Sequence, residues 1–242
     1  MAGKALVILL LALVVSACSR DGKTLERQQA ASASSPRILR TKPKVMTDAQ
    51  RAELGFPSDI ITQVETAADA SAEPFFEEVM MRSANLKGDV MLSAARLSGF
   101  SVHTRQADSV ITGLLRPFRT RGFLIFRSEQ NFGNVPDVVT VVRGQNSYDI
   151  LLVQRTEAPH YHLDTKAIIR WLREQQKQGP FVVTGAGADW VEATFVKQPQ
   201  NMRAFARRVA AFAPDVLRER TSTIERLADR MALTNGFQLQ WE

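Results

Sequence analysis

The chain has 242 residues, of which 45% are hydrophobic, and a formal net charge of +6 at pH 7. A chain of this length is sufficient for one globular domain with flanking segments. Its single cysteine, Cys18, excludes an intramolecular disulfide, and its basic charge makes anionic partners the first to consider.

The N-terminus has the layout of a secretory signal peptide over residues 1–17. A basic start at Lys4 precedes an apolar run over residues 5–15, which is shorter than the roughly 20 apolar residues of a membrane-spanning helix. The run ends in Val15-Ser16-Ala17-Cys18, which resembles the lipobox of bacterial lipoproteins. This resemblance implies that Cys18 becomes the acylated first residue of the mature chain. The alternative is an ordinary signal peptide beside an incidental cysteine.

Lipidation of Cys18 implies a protein anchored to a membrane of the bacterial cell envelope. Lipoproteins of this kind carry a diacyl group and usually a third acyl chain, and two or more chains anchor a protein stably. Ser19 stands where many inner-membrane lipoproteins have an aspartate. We therefore expect an outer-membrane location that faces the periplasm.

Residues 18–54 are predicted to form a flexible basic tether. They are rich in Ser, Ala, Gln, Lys and Arg and have few large apolar residues, so they cannot bury enough surface to offset the entropy of ordering. A basic segment next to a lipid anchor favours contact with anionic headgroups. Nucleic acid is not predicted as a partner, because an exported protein rarely meets it and no basic strand with interleaved aromatics is present.

Residues 55–121 are predicted to be mostly helical. Apolar residues at helical spacing indicate helices over residues 73–82, 89–97 and 108–115. Pro74 fits the first turn of the first helix, Gly99 is a natural stop for the second, and Pro117 closes the third.

Residues 122–242 alternate strand and helix patterns, which indicates an α+β domain. Strands are predicted over residues 123–127, 138–143, 148–154, 181–183, 190–196 and 237–241, with a hairpin turn at residues 144–147. Helices are predicted over residues 165–178 and 201–212, and after a capping box at Ser222 and Glu225. The order from residue 148 onward is the βαββαβ of the ferredoxin-like plan with one extra helix. We therefore expect a largely antiparallel sheet.

The stretch TGAGADWVEATF, residues 184–195, poses a choice between a phosphate-binding loop and a tight turn. A phosphate-binding loop needs a helix directly after its glycines, so that the helix amides face the anion. Here Gly185 and Gly187 are followed by Asp189, which would repel phosphate, and by a strand. The stretch therefore predicts a hairpin with a positive φ angle at one glycine and no affinity for nucleotides.

Few residues in the chain suggest chemistry. Asp189, Trp190 and Glu192 are the candidate ligand-binding residues, because Trp190 and Glu192 share a strand face and Asp189 precedes them. No catalytic residue is assigned. His160 and His162 would share a face of a strand, as two metal ligands do, but a solvated loop is the simpler interpretation. No metal and no cofactor are predicted.

Short motifs recur in a fixed order through the second half of the chain. They are Tyr161-x-x-Asp164-Thr165, Ile168-Ile169, Trp171-Leu172, Gly185-Ala186, Asp189-Trp190-Val191-Glu192, Pro199, Phe205-Ala206, Pro214-Asp215 and Trp241-Glu242. Through them, residues from about 122 to 242 resemble the bacterial family called domain of unknown function 4253. Ala213 departs from the family, whose members often have Cys there, and the chain ends in Gln240-Trp241-Glu242 instead of two Trp and an Asp. The resemblance implies a domain and no activity.

The sequence thus favours a lipid-anchored envelope protein that binds a small ligand or an envelope protein without catalysis. The alternative is a hydrolase-type enzyme that uses the carboxylates near Asp189 and Glu192. A purely structural element of an envelope assembly is a third interpretation.

Overall fold

The computed structural model describes residues 45–82, 91–218 and 223–241. The predicted signal peptide, Cys18 and the predicted tether up to residue 44 lie outside the described residues. The last part of that tether is not extended, because Asp48–Leu54 is a helix with a capping box formed by Thr47 and Gln50.

The described residues contain seven strands and seven α-helices. The strands are β1 (Glu73–Arg82), β2 (Met91–Thr104), β3 (Phe123–Glu129), β4 (Asp137–Arg143), β5 (Phe181–Ala186), β6 (Trp190–Phe195) and β7 (Gly236–Gln240). The helices are α1 (Asp48–Leu54), α2 (Ser58–Ala68), α3 (Ala107–Thr120), α4 (Asp149–Gln154), α5 (Thr165–Gln175), α6 (Met202–Phe212) and α7 (Ile224–Thr234). None of these described helices has the length and apolar character required to cross a membrane.

All seven strands form one sheet in the order β1-β2-β4-β3-β5-β6-β7. Every neighbouring pair is antiparallel except β3 and β5, which are parallel and meet where Arg127 lies opposite Gly185. The expected α+β class with a largely antiparallel sheet is confirmed. The sheet also takes in β1 and β2, which come from the segment predicted to be helical.

Two hydrophobic cores lie on opposite faces of this sheet. Alternate residues of β3 enter different cores, Phe123 and Ile125 one of them and Leu124 and Phe126 the other. Because successive side chains of a strand point to opposite faces, helices from the two halves of the chain cover the two faces. Helices α1, α2 and α3 pack on the face of Phe123, and α4, α5, α6 and α7 contribute to the core of Leu124.

Most predicted elements after residue 160 are confirmed, and side-chain caps explain their starts. Asp164 accepts a hydrogen bond from the Ala167 amide at 2.7 Å to open α5, and Asn201 accepts one from Ala204 at 2.9 Å to open α6. Helix α7 is capped by Thr223, whereas the sequence suggested Ser222, which lies outside the described residues.

The helices predicted over residues 73–82 and 89–97 are wrong, because the described part of this segment forms strands β1 and β2. Pro74 is compatible with β1 because proline is tolerated on an edge strand. Gly99 does not stop a helix. It lies inside β2, where a Cβ atom would come within 2.1 Å of the Val141 carbonyl oxygen. Glycine at this position therefore allows β4 to approach β2.

Helix α3 continues beyond the predicted end at residue 115. It includes Pro117 and ends at Thr120, whose hydroxyl donates to the Pro117 carbonyl at 2.8 Å. Proline lacks an amide hydrogen and therefore removes one helical hydrogen bond, but only three residues of the helix follow Pro117.

The strand predicted over residues 148–154 is also wrong, because Asp149–Gln154 forms α4. The run ILLV is too short for its periodicity to separate a strand from a buried helical turn. In the structure Ile150 and Leu151 are buried, whereas Leu152 is 51% exposed. Residues 144–147 therefore link a strand to a helix instead of forming a hairpin. The predicted ferredoxin-like order loses its first strand.

The C-terminal end of the chain is anchored by an aromatic cluster. Trp241 is 3% exposed, and its Nε1 donates to the Phe212 carbonyl at 3.2 Å. The Phe212 ring meets Trp241 edge-on at 5.7 Å and stacks on Trp171 at 4.3 Å. Trp241 is therefore part of the hydrophobic core, directly after the end of β7.

Trp241→Ala is expected to lower the free energy of unfolding by about 3–5 kcal/mol, because it leaves a large cavity and an unpaired Phe212 carbonyl. Urea unfolding of parent and variant measures this difference. Leu233→Ala is the control, since Leu233 is 88% exposed and its truncation is expected to change stability by less than about 0.5 kcal/mol. Equal midpoints for Trp241→Ala and the parent would contradict the prediction.

Candidate functional site

The two-glycine stretch forms the hairpin turn between β5 and β6. The Gly187 amide donates to the Trp190 carbonyl at 3.0 Å. The carbonyls of the turn accept hydrogen bonds from elsewhere in the chain: that of Gly187 from the Thr156 hydroxyl, and that of Ala188 from the Glu157 amide. The hairpin interpretation is confirmed, and the turn is tied to the segment after α4.

The two glycines make room for the Trp190 indole. A Cβ atom on Gly187 would lie 2.2 Å from Trp190 Nε1, and one on Gly185 would lie 3.0 Å from the indole ring and 3.2 Å from Arg127 Cβ. The predicted positive φ angle is wrong, because the described glycines with positive φ are Gly55, Gly122 and Gly133. Glycine is therefore required here for close packing and not for backbone conformation.

Gly187→Ala is expected to destabilise the parent, because the added methyl group overlaps the indole and overpacking typically costs about 1–3 kcal/mol. In a Trp190→Ala background the same substitution is expected to be nearly neutral, since the obstructing ring is gone. A double-mutant cycle measured by urea unfolding gives the coupling between the two positions.

Gly113→Ala is the matched control for this cycle. A Cβ atom on Gly113 meets nothing within 4 Å, and the residue lies inside α3, so alanine should stabilise the chain by about 0.5–1 kcal/mol. A coupling near zero between Gly187→Ala and Trp190→Ala would show that the indole does not dictate the glycine.

A groove of about 640 Å³ lies next to this hairpin. Its polar lining on strands β5, β6 and β7 includes Thr184, Glu192, Thr194 and Gln238, and the hydroxyls of Thr184 and Thr194 lie 3.2 Å apart. Asp108 and Thr112 of α3 line it as well, as do Arg230 and Thr234 of α7. We call this cavity, with the side chains named here and Arg127, the sheet groove.

A buried arginine is the charged centre of the sheet groove. The Arg127 side chain is 8% exposed and meets three carboxylates. Its Nη1 donates to Glu192 at 2.5 Å, and its Nη2 donates to Asp108 in a very short contact. Its Nε lies 3.1 Å from Asp137, an ion pair without hydrogen-bond alignment. One guanidinium thus joins β3 to α3, β4 and β6.

Burial and charge shift the pKa values of this cluster. Burial acts to lower the pKa of Arg127, but the charges of Glu192, Asp108 and Asp137 outweigh it, so the pKa lies above its usual value. Burial raises the pKa of the Glu192 carboxyl above its ordinary value; the charge of Arg127 opposes this increase and that of Asp108 adds to it. The Asp108 side chain is 87% exposed and faces solvent at the mouth.

Glu192 gives stability a defined dependence on pH. Since its folded-state pKa is raised above the ordinary value of 4.5, the folded chain holds more protons than the unfolded chain from pH 4.5 up to the folded-state pKa. The contribution of Glu192 to the free energy of unfolding is therefore complete below pH 4.5. It falls as the pH rises from 4.5 to the folded-state pKa. Glu192→Gln removes the ionisation and is expected to gain stability relative to the parent across the same window.

Urea unfolding of the parent and of Glu192→Gln from pH 4 to pH 8 measures this difference. Glu129→Gln, at the exposed end of β3, is the matched substitution for comparison. If the free energy of unfolding of the parent rises relative to that of Glu192→Gln as the pH rises, the prediction is contradicted. Such a result would mean that the charge of Arg127 lowers the pKa of Glu192 by more than burial raises it.

The family comparison concerns the C-terminal part of the chain. Residues 138–242 match the model of the family described as Domain of unknown function (DUF4253). The resemblance expected from residue 122 is thus confirmed from residue 138 onward. No curated protein and no solved structure matches the chain.

Only part of the sheet groove is formed by residues that match DUF4253. Glu192, Thr184 and Gln238 lie inside the matched residues, whereas Arg127 and Asp108 precede them. The groove is therefore lined both by residues of the matched segment and by residues that precede it in the chain. Two motif residues of the match, Tyr161 and Asp215, are joined by a hydrogen bond of 2.7 Å from the tyrosine hydroxyl to the buried carboxylate.

The predicted ligand-binding residues occupy different positions. Glu192 lines the sheet groove, Trp190 packs over the glycines, and Asp189 is exposed in the turn. The groove unites Glu192 with Asp108 and Arg127 instead of Asp189. Sequence reasoning missed Arg127. The available signal was its position directly after the apolar run Phe123 to Phe126, because a residue that continues a buried strand tends to be buried as well.

The two histidines do not lie side by side on a strand. His160 belongs to a short 3₁₀ helix, Pro159–Tyr161, and His162 caps it with a φ angle of 55°. Within the described ranges, no group of three or more His, Cys, Asp or Glu side chains is placed to hold a metal ion.

Proposed function

We propose that the protein is a lipid-anchored component of the bacterial cell envelope whose domain binds a small ligand without catalysis. The anchor is the acylated Cys18, and an outer-membrane position facing the periplasm follows from Ser19. The ligand site is the sheet groove. Its volume of about 640 Å³ is within the usual range of small-molecule sites.

The observation that carries this proposal is the exposed carboxylate of Asp108, one of three carboxylates that surround the buried Arg127. One guanidinium faces three carboxylates and is itself almost covered, so a ligand entering the groove meets Asp108 and Glu192 before it meets Arg127. Thr194 and Gln238 add uncharged hydrogen-bonding groups. Arg230 of α7 adds a positive charge to the lining, so it is the exposed carboxylate of Asp108 that is complementary to a small ligand with an ammonium group.

The proposed ligand class can be tested by removing the charge of Asp108. Its carboxylate is exposed, so Asp108→Asn removes a ligand-facing charge while Arg127 keeps its contacts with Glu192 and Asp137. The full chain, purified in a nonionic detergent, is titrated calorimetrically with 1,4-diaminobutane and with succinate, a cation and an anion of the same carbon number. We expect binding of the diamine alone, and about threefold to tenfold weaker binding by Asp108→Asn.

Asp229→Asn, at an exposed position of α7 outside the groove lining, is the matched control and should bind the diamine as the parent does. Binding of succinate at least as tight as that of the diamine would contradict the proposed ligand class. So would equal affinities of Asp108→Asn and the parent.

The anchor is tested separately. Cys18→Ser is expected to leave the domain folded and to release it from membranes into the soluble export fraction, because the acyl chains hold the protein. Cell fractionation after a high-salt wash, followed by immunoblotting, measures the distribution. Retention of Cys18→Ser in the membrane fraction would show that another feature holds the protein there.

A second candidate function, a hydrolase-type enzyme, is favoured by the pKa of Glu192. A carboxyl group whose pKa is raised by burial keeps its proton to a higher pH than an ordinary glutamate, as a general acid requires. The pairing of Glu192 with Asp189 predicted from the sequence has no support from their positions, since Asp108 is the carboxylate that shares Arg127 with Glu192. Hydrolysis abolished equally by Glu192→Gln and Asp108→Asn would favour this candidate over a binding protein.

A further inference from the structure

A second cavity, of about 420 Å³, lies between the loop that follows α5 and the loop that follows β6. Its charged lining consists of Lys177, Lys197 and Arg208, accompanied by the amide side chains of Gln and Asn residues. Among the described residues, none of those that line it is a carboxylate. We call this cavity the basic cleft.

Backbone and side-chain contacts fix the cations of the basic cleft. The amides of Val196 and Lys197 both donate to the Pro180 carbonyl, at 2.8 and 3.2 Å, which joins the two loops. Arg208 Nε donates at 3.0 Å to the side chain of Gln175, which is 7% exposed. Because Arg208 is oriented by a buried partner, little conformational freedom is lost when its outer nitrogens bind a ligand.

The positive charge of the cleft is only partly compensated. Lys177 pairs with Glu174 at 2.6 Å, but both side chains are more than half exposed, and such surface pairs are weak and screened by salt. The ion pairs found among the described residues involve neither Lys197 nor Arg208. Two cations therefore remain for an external anion.

From this arrangement we infer that the basic cleft binds a phosphate-type oxyanion. The planar fork of Arg208 offers parallel N–H donors to two phosphate oxygens, and the lysines add point charges. The neighbouring amide side chains supply neutral hydrogen bonds. The anion is either free phosphate or the phosphodiester of a lipid headgroup, since both present the same oxygens to these donors.

The two sources are distinguished with soluble probes. The full chain in a nonionic detergent is titrated calorimetrically with inorganic phosphate and with glycerophosphoglycerol, the deacylated headgroup of phosphatidylglycerol. Lys197→Gln is expected to weaken binding about tenfold, because it removes one charge-assisted contact from an exposed side chain without disturbing the fold. Lys166→Gln is the matched control, since Lys166 is exposed in the first turn of α5 and is not a lining residue.

Binding of phosphate that Lys197→Gln weakens and Lys166→Gln does not supports the inference and identifies free phosphate as the source. The same pattern with glycerophosphoglycerol, at higher affinity than phosphate, identifies a lipid headgroup. Binding of neither probe at millimolar concentration overturns the inference, and so does binding that Lys197→Gln leaves unchanged. Because the diamine titration concerns the sheet groove, either proposal can fail without the other.

Discussion

The buried charge of Arg127 is the constraint on which the rest of the structure depends. A guanidinium removed from water is costly unless it is paired and hydrogen-bonded, and here Glu192, Asp108 and Asp137 all reach it. They belong to β6, to the first turn of α3 and to the start of β4, so one charge fixes the positions of three elements around β3. Of these carboxylates, Asp108 is the one exposed at the mouth of the sheet groove.

Packing beside this cluster explains the glycine pair. Gly185 faces Arg127 at the one register point that joins β3 to β5, and a side chain there would press on both Arg127 and the Trp190 ring. Gly187 lies under the same ring. Each glycine thus removes a steric obstacle to a neighbour that the sheet brings into place. A glycine motif of this kind resembles a ligand-binding loop in sequence, but here the glycines are required for packing against Arg127 and Trp190.

Sequence patterns predicted the elements whose signals are local. Asp164 and Asn201 mark helix starts through their own side chains, and Phe237 and Leu239 show the alternation of a strand within a few residues, so these features needed no tertiary information. The requirement for glycine at position 99 arises from the close approach of β4, which the local sequence pattern does not indicate. For the site, alternation along β6 identified Glu192, whereas Arg127 was missed because its partners lie 19 and 65 residues away.

Strands β5 and β6 run between two cavities whose charged linings differ. Glu192 faces the sheet groove, and Lys197, just after the end of the same strand, lines the basic cleft. Because like charges repel, Lys177, Lys197 and Arg208 disfavour a cation in the cleft, whereas the exposed carboxylate of Asp108 attracts one to the groove. The two linings therefore suit ligands of different chemistry, bound at different places along the same pair of strands.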